Sequence, residues 1–499
     1  MADTRIKSIV IVGGGTAGWM TAAALAKKCN LQDTTITLIE SADIGTIGVG
    51  EATVPAIKDF IKSLNIDEID FIKATQATYK LAISFDGWKK ENHRFLHPFA
   101  GYGTRIQQIP FHHFWIKMMQ QNNAQALDTY CLSSQIALEY KFALPKATTD
   151  AEVPAFNYAF HFDAGLFAKL LSQVAQQLGV TRIEAKVTEV QQCSTSGFVT
   201  SLTLHNQQSI AGDLFIDCSG FRGLLIEEAL HTGYENWSQW LPCDSAIAMP
   251  CESTSEPAPY TRSLACEAGW QWKIPLQHRT GNGYVFASSY INDATAITQL
   301  TKNLEGKALA EPKVLKFTTG MRKQTWNKNV YAIGLASGFL EPLESTSIYM
   351  IQESINLLID NFPNRNWHPS LTNEVNKTLR IRQEKLRDFL ILHYALNERQ
   401  GEAFWDHCRT MPLPDSLNAQ IDLFQHAAQV SLDQLDFFRT NSWLAIFAGF
   451  NRIPHYYHPS VDNFDETLVA QELSNIAVGI KSAVNNLPSH TQFIQKNCL

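Results

Sequence analysis

Three observations predict an α/β protein: a β-branched strand that breaks into glycines and resumes as a helix, a hairpin-rich stretch over 245–300, and a helical tail punctuated by prolines. The predicted organisation is a Rossmann-type lobe, a second lobe floored by a β-sheet, and a helical C-terminal region. Residues 1–360 hold both lobes discontinuously, with pocket-forming insertions near 80–160 and 240–320, and residues 361–499 cap the pocket.

The first observation lies in Ile9-Val10-Ile11-Val12, followed by Gly13-Gly14-Gly15-Thr16-Ala17-Gly18 and the helix-prone run Trp19 to Lys28. Such a strand–turn–helix brings backbone N–H groups and a helix N-terminus onto a pyrophosphate. Gly13, Gly15 and Gly18 fit G-x-G-x-x-G, and the next strand, Thr34 to Ile39, closes with Glu40, placed to accept ribose hydroxyls. A dinucleotide is the implied ligand, with Thr16 and Ala17 in the same turn. The pattern does not separate FAD from NAD.

Composition narrows the partners. A net charge of -7 gives no general attraction for nucleic acid or anionic lipid. The N-terminal residues run directly into the first strand, leaving no room for a signal peptide, and no apolar run could span a membrane, so the expected location is the cytoplasm. Nine cysteines without a C-x-x-C read as buried thiols, and His112 with His113, or His455 with His458, lack acidic neighbours at ligand spacing. No metal site is expected.

After Glu40, the glycine-rich stretch Ile44 to Pro55 reads as a loop, either a surface connection or a strap against the cofactor. A helix is predicted over Ile57 to Leu64. In Tyr79 to Asp86, the large residues Tyr79, Leu81, Ile83 and Phe85 alternate with Lys80, Ala82, Ser84 and Asp86, the period of a strand with one packed face. Spacing alone therefore puts Lys80 on the polar side, as a solvated lysine. Trp88 to Trp115 is dense in aromatics and histidine, including His97 and Phe99, and fits either a core or a pocket for a flat ring.

Phe162 to Leu178 reads as a helix, with strands near 182–190, 198–204 and 212–217; the last resumes the first lobe's sheet. Trp270 and Trp272 share one face of a strand, where sheet packing accounts for them, and Asn329 to Gly334 is a further strand ending in glycine, followed by Leu335. Glu344 to Ser347 precedes an apolar helix over 348–359, so this segment either caps the helix through Ser345 or Thr346 or holds an anion on free N–H groups. Helices are expected over Thr372 to Arg399, Ser416 to Phe438 and Phe464 to Leu487.

Four blocks together resemble the flavin-dependent halogenases, the family that includes the tryptophan halogenases: Gly13 to Gly18, Gly48-Val-Gly-Glu-Ala-Thr53, Trp270-x-Trp272-x-Ile274-Pro275, and Pro342-Leu-Glu-Ser-Thr-Ser347. The resemblance implies a lobe of the glutathione reductase or p-hydroxybenzoate hydroxylase type holding FAD, used as FADH2. Its cofactor residues extend to Gly48, Val49, Gly50, Glu51, Ala52, Gly334 and Leu335. In that family oxygen and a halide, chloride or bromide, yield hypohalous acid, which reaches a lysine beside an aromatic substrate. Here the lysine is Lys80, so the resemblance reverses the solvated reading.

By the same resemblance Glu344 is the catalytic carboxylate, Thr346 and Ser347 hold the halide, His97 and Phe99 line the substrate pocket, and Trp270, Trp272, Ile274 and Pro275 form a barrier that prevents direct oxygenation. The tryptophan halogenases have glycine where this chain has Ser347, and a Cβ restricts a backbone nest. Phe404-Trp405 lies in a sequence unlike their substrate lid, which leaves tryptophan, indole or another electron-rich aromatic as substrate. With no second G-x-G-x-x-G for NAD(P)H, a separate flavin reductase is the implied partner; a homodimer is an open alternative to a monomer. Two other functions fit the glycine turn: an aromatic monooxygenase, which does not need Lys80, and a flavin-binding protein without catalysis.

Overall fold

The structure is a computed structural model describing residues 3–29, 32–41, 50–145 and 156–498. The chain divides into two units, each assembled from three stretches of sequence. One comprises residues 1–77, 162–244 and 316–383; the other comprises 78–161, 245–315 and 384–499.

The first unit is built on a six-stranded sheet in the order Trp326–Asn327, Val330–Ala332, Leu214–Asp217, Ser8–Val12, Thr35–Glu40, Thr181–Glu184. All its pairings are parallel except that of the edge strand Trp326–Asn327. Parallel strands need cover on both faces, and the four apolar residues Ile9 to Val12 are all buried. Val10 and Val12 join Phe215, Val330 and Ala332 in a core with Val199, Leu202 and Leu204 of a three-stranded antiparallel sheet. The alanine-rich helix Thr16–Lys28 packs against helices Ala164–Gln177 and Ser347–Asp360.

Two local features depart from the sequence reading. Phe162 and Asp163 end a strand, Ala159–Asp163, and Asp163 then caps the helix by accepting from Gly165 and Leu166 N–H groups. The strand expected over 182–190 is two strands, Thr181–Glu184 and Val187–Gln192, in different sheets. The break has no Gly or Pro signal: Ala185 N–H still donates to Glu40, whereas the Lys186 carbonyl already accepts from His205. The partner strand changes between adjacent residues.

The second unit holds a seven-stranded sheet in the order Lys313–Lys316, Ser245–Ala248, Thr280–Phe286, Gly269–Pro275, Tyr260–Cys266, Ala82–Asp86, Arg94–Pro98. Tyr260–Cys266 and Ala82–Asp86 run parallel, whereas the pairings from Ser245–Ala248 through to Tyr260–Cys266, and that of Ala82–Asp86 with Arg94–Pro98, are antiparallel. Helices Phe111–Gln120, Ala403–Thr410, Asp415–Ala427, Thr440–Gly449 and Glu466–Asn485 belong to the same unit. The helix expected to reach Phe438 stops at Ala427, because Ala428 turns left-handed at φ 54° and the following backbone is tied locally. Asp433 and Asp436 accept from backbone N–H groups and from Lys385, a bonding pattern that competes with helix.

Among the described residues all nine cysteines are free thiols, no group of three or more His, Cys, Asp or Glu is arranged to hold a metal, and no helix is long and apolar enough to cross a membrane.

Buried histidines make the fold acid-sensitive. His490 is fully buried, accepts from Tyr79 N–H at Nε2, and donates from Nδ1 to the Pro257 carbonyl; burial pushes it down to about 4. It is neutral in the native state, whereas an unfolded histidine titrates near 6.5. Its contribution is complete above about pH 6.5 and is lost as pH falls from there toward the native value. At pH 5 this one residue is expected to cost about 2 kcal/mol relative to neutral pH. Denaturant midpoints at pH 7 and pH 5 should differ less in His490→Asn, which keeps a donor for Pro257, than in the wild type.

Candidate active site

The glycine turn distributes its three fingerprint positions between the protein and an open space. Gly13 has φ +113°, and a Cβ there would lie 2.2 Å from the Cys218 carbonyl oxygen. A Cβ on Gly18 would lie 1.8 Å from the Gly13 carbonyl oxygen. Both positions are therefore closed by backbone. Gly15 differs: its φ is -77°, and an added Cβ would meet nothing within 4 Å. Beside that space begins helix Thr16–Lys28, with no side-chain cap and no acidic residue in its first turn. Uncapped N–H groups next to an open volume fit the pyrophosphate of FAD.

Glu40 lies against Gly14, and its carboxylate accepts from Arg182 Nε at 2.5 Å. The sequence reading missed Arg182, because only the order of strands brings Thr181–Glu184 beside Thr35–Glu40. Gly334, at φ +69°, brings its turn next to the same helix start, 2.9 Å from the Ala17 Cβ when a Cβ is added. Leu335 follows it in a short 3-10 turn. Gly48 and Val49 lie outside the described residues. Gly50, Glu51 and Ala52, expected in a loop, form a short strand, and burial pushes the Glu51 carboxyl up to about 7.

The segment Pro342–Glu344 is a single 3-10 turn that ends in left-handed Ser345, φ 59°. Glu344 is 1% exposed, and Ser345 and Thr346 are also buried. Thr346, the N-cap residue of helix Ser347–Asp360, makes no capping bond through its side chain. A Thr346 cap therefore does not account for this helix start, and a helix N-terminus is a place where backbone N–H groups suit an anion. Ser347 is itself the first helical residue, so its Cβ sits in a right-handed conformation that carries no penalty. The residue in the conformation that favours glycine is Ser345.

In the second unit Lys80 is 0% exposed, which corrects the solvated reading. The run Tyr79 to Asp86 is two strands, Thr78–Lys80 and Ala82–Asp86, and both sets of alternating residues are covered. Thr78–Lys80 pairs with residues 159–161, and Leu81 N–H donates to the Pro259 carbonyl. The Lys80 Nζ lies 5.1 Å from the centroid of the Phe99 ring. A buried ammonium held over an aromatic face is a strong local field. His97 is buried with its ring 5.9 Å from both Phe389 and Phe438, which stack on each other at 3.8 Å.

Trp270 and Trp272 lie with ring centroids 6.3 Å apart on strand Gly269–Pro275, which also carries Ile274 and Pro275. Trp270 packs into an aromatic cluster through Trp88, whose ring meets Trp405 and Tyr394 edge-on. Trp272 is half-buried and lies across the sheet over Gly283, its direct partner, where a Cβ would lie 2.0 Å from the indole. The ring is flattened onto the strand because that position has no side chain. Sequence reasoning also missed His161 and His490, isolated histidines whose partners lie far away in the chain.

The comparisons with known proteins agree over nearly the whole chain. The model of the tryptophan halogenase family matches residues 8–466. A tryptophan 6-halogenase of Streptomyces toxytricini is 34% identical over 510 residues, covering 97% of each chain. Among solved structures, a flavin-dependent halogenase from Brevundimonas sp. BAL3 superposes with a TM-score of 0.96 at 44% identity, covering 99% of both chains. A flavin-dependent halogenase from Xanthomonas campestris superposes with a TM-score of 0.94 at 41% identity over 99% of both chains. With the α/β fold, the glycine turn open at Gly15 and these matches in agreement, the chain belongs to the tryptophan halogenase family of flavin-dependent enzymes.

Proposed function

We propose that the chain is a two-component halogenase: it takes FADH2 from a separate NAD(P)H-dependent flavin reductase and installs chloride or bromide on an electron-rich aromatic, either tryptophan, indole or a related ring. The observation that carries the reading is the complete burial of Lys80 beside Phe99. Enclosure is what an amine needs to hold an electrophilic halogen away from water. Reduced FAD, when bound, supplies the oxygen activation that turns halide into hypohalous acid.

The residues of the chain do the rest. Gly13, Gly15, Thr16, Ala17 and Gly18 hold the pyrophosphate, Glu40 the ribose, and the segments at 48–52 and 334–335 lie along the cofactor. First-turn N–H groups around Thr346 and Ser347 hold the halide. Lys80 orients and polarises the electrophile. Glu344, as a buried carboxylate, stabilises the cationic ring intermediate and takes its proton. His97 and Phe99 stack the substrate, and Trp270, Trp272, Ile274 and Pro275 act against direct oxygenation of the ring.

The test supplies FAD, a flavin reductase, NADH and either chloride or bromide with tryptophan, indole and a small panel of aromatics, and reads the halogen isotope pattern by mass spectrometry. Halogenated product above a no-enzyme control is expected. Oxygenated product that does not depend on halide, or no turnover with any ring, overturns the reading. In the same assay Glu344→Gln, which keeps shape and removes the base, is expected to lower kcat by about 10²-fold or more, with the choice of halide unchanged.

A further inference from the structure

The strand that carries Lys80 is held from the side by an imidazole with no part in the site described above. In the antiparallel pair, Thr78 faces His161 and Lys80 faces Ala159. Residues directly opposite share a face, and residues two apart on a strand share it too, so Thr78, Lys80, His161 and Ala159 all lie on one side. His161 is therefore the diagonal neighbour of Lys80. All four residues are fully buried.

The hydrogen bonds of His161 fix its tautomer. Thr78 Oγ1 donates its one proton to the Pro275 carbonyl at 2.7 Å, because a carbonyl only accepts. Its 3.1 Å contact with His161 Nδ1 must then be accepted from Nδ1–H. That leaves a lone pair on Nε2, which accepts from Thr261 Oγ1 at 2.9 Å. The donors run Thr261, His161, Thr78, and the Pro275 carbonyl is the final acceptor, so each proton has one direction. Burial, with the charge of Lys80 added to it, holds His161 well below the usual histidine range, so it stays neutral.

Two strands of the large sheet are tied by this chain to the Lys80 strand. Thr261 belongs to Tyr260–Cys266, and Pro275 ends Gly269–Pro275, the strand of Trp270 and Trp272. A change of tautomer or a missing hydroxyl would free Thr78 and, with it, the residue two places along.

We propose that His161 is a positioning residue for Lys80: as a fixed Nδ1–H donor it locks the Lys80 strand onto the end of the tryptophan strand without adding a second positive charge. The inference rests on the reading that Lys80 handles the halogen. It predicts an effect on where the halogen goes, rather than on cofactor or substrate binding.

The test uses the full chain with FAD, flavin reductase, NADH, bromide and indole, and a 1,3-diketone in solution to capture hypobromous acid that escapes. His161→Leu is expected to lower kcat for bromoindole at least about tenfold while KM for indole stays within about twofold, and the captured bromine rises per oxygen consumed. His161→Asn, whose Nδ2–H replaces Nδ1–H toward Thr78, is expected to restore most of the rate. If His161→Leu does not fold, Thr78→Val serves instead: it keeps the shape, breaks the chain, and should give the same loss in kcat with rising capture. Wild-type kcat in the folded variant, or loss of bromoindole and captured bromine together, overturns the proposal. Lys80→Ala, run alongside, separates the two readings. Full activity in Lys80→Ala removes the role of Lys80 itself, whereas an inactive Lys80→Ala beside an unaffected His161→Leu or Thr78→Val overturns the positioning role alone.

Discussion

Lys80→Ala is expected to lower aromatic halogenation by about 10³-fold or more, a loss of about 4 kcal/mol of transition-state stabilisation. Oxygen consumption by the reduced cofactor should continue, because Lys80 and the glycine turn belong to different units of the chain. The structural side effect can be controlled. The side chain is fully enclosed, so truncation leaves a cavity, whereas Lys80→Met keeps most of the volume and removes only the amine. Because it keeps the enclosed volume filled, Lys80→Met should melt above Lys80→Ala. Lys80→Arg retains a positive charge but replaces a compact amine with a planar fork, and should be as inactive as alanine. Mass spectrometry of the product with calorimetric melting of all three variants checks the set. Activity in Lys80→Met above a few per cent of wild type contradicts the role assigned to the amine.

The second large effect is expected at Gly15, and its value lies in contrast with Gly18. Gly15→Ala meets nothing within 4 Å and has an ordinary φ of -77°, so the protein should fold and melt as the wild type does. Its new methyl group would stand where the pyrophosphate approaches, and FAD affinity should fall by about 30-fold or more, roughly 2 kcal/mol. Gly18→Ala puts the same methyl group 1.8 Å from a backbone oxygen, and should lose stability before any ligand is added. Fluorescence titration of FAD and thermal melting separate the two. A Gly15→Ala variant that binds FAD normally would move the cofactor away from this turn.

The glycine turn is legible in the sequence because its chemistry is local. A strand, three glycines at fixed spacing and a helix are all decided within about twenty residues. Glu40 is legible for the same reason, but Arg182, which holds it, is not, since their strands are adjacent only in the folded sheet. Lys80 shows the limit most sharply. Alternation reports that one face of a strand is apolar, and says nothing about whether another strand covers the polar face. At Lys80 the polar face is enclosed, with the Phe99 ring among the groups against it, and no alternation over 79–86 reports that. Family resemblance singles this residue out, and the fold alone reveals its burial. His161 and His490 give no local signal at all, because a lone histidine carries no pattern and its meaning lies in partners such as Thr261 and Pro257.

The interleaving of the two units has a consequence for how the protein is made. Ser8–Val12 is the middle strand of its sheet, yet its neighbour Leu214–Asp217 and the strand beyond, Val330–Ala332, emerge from the ribosome much later. At the usual pace of translation, the interval to the last of these is roughly half a minute. Throughout it, a strand of four consecutive apolar residues is synthesised and waits without its final partners. Long-range parallel pairing of this kind is slow and exposes sticky edges. Yield in a foreign host should therefore depend on growth temperature and chaperone supply more than on the stability of the finished fold.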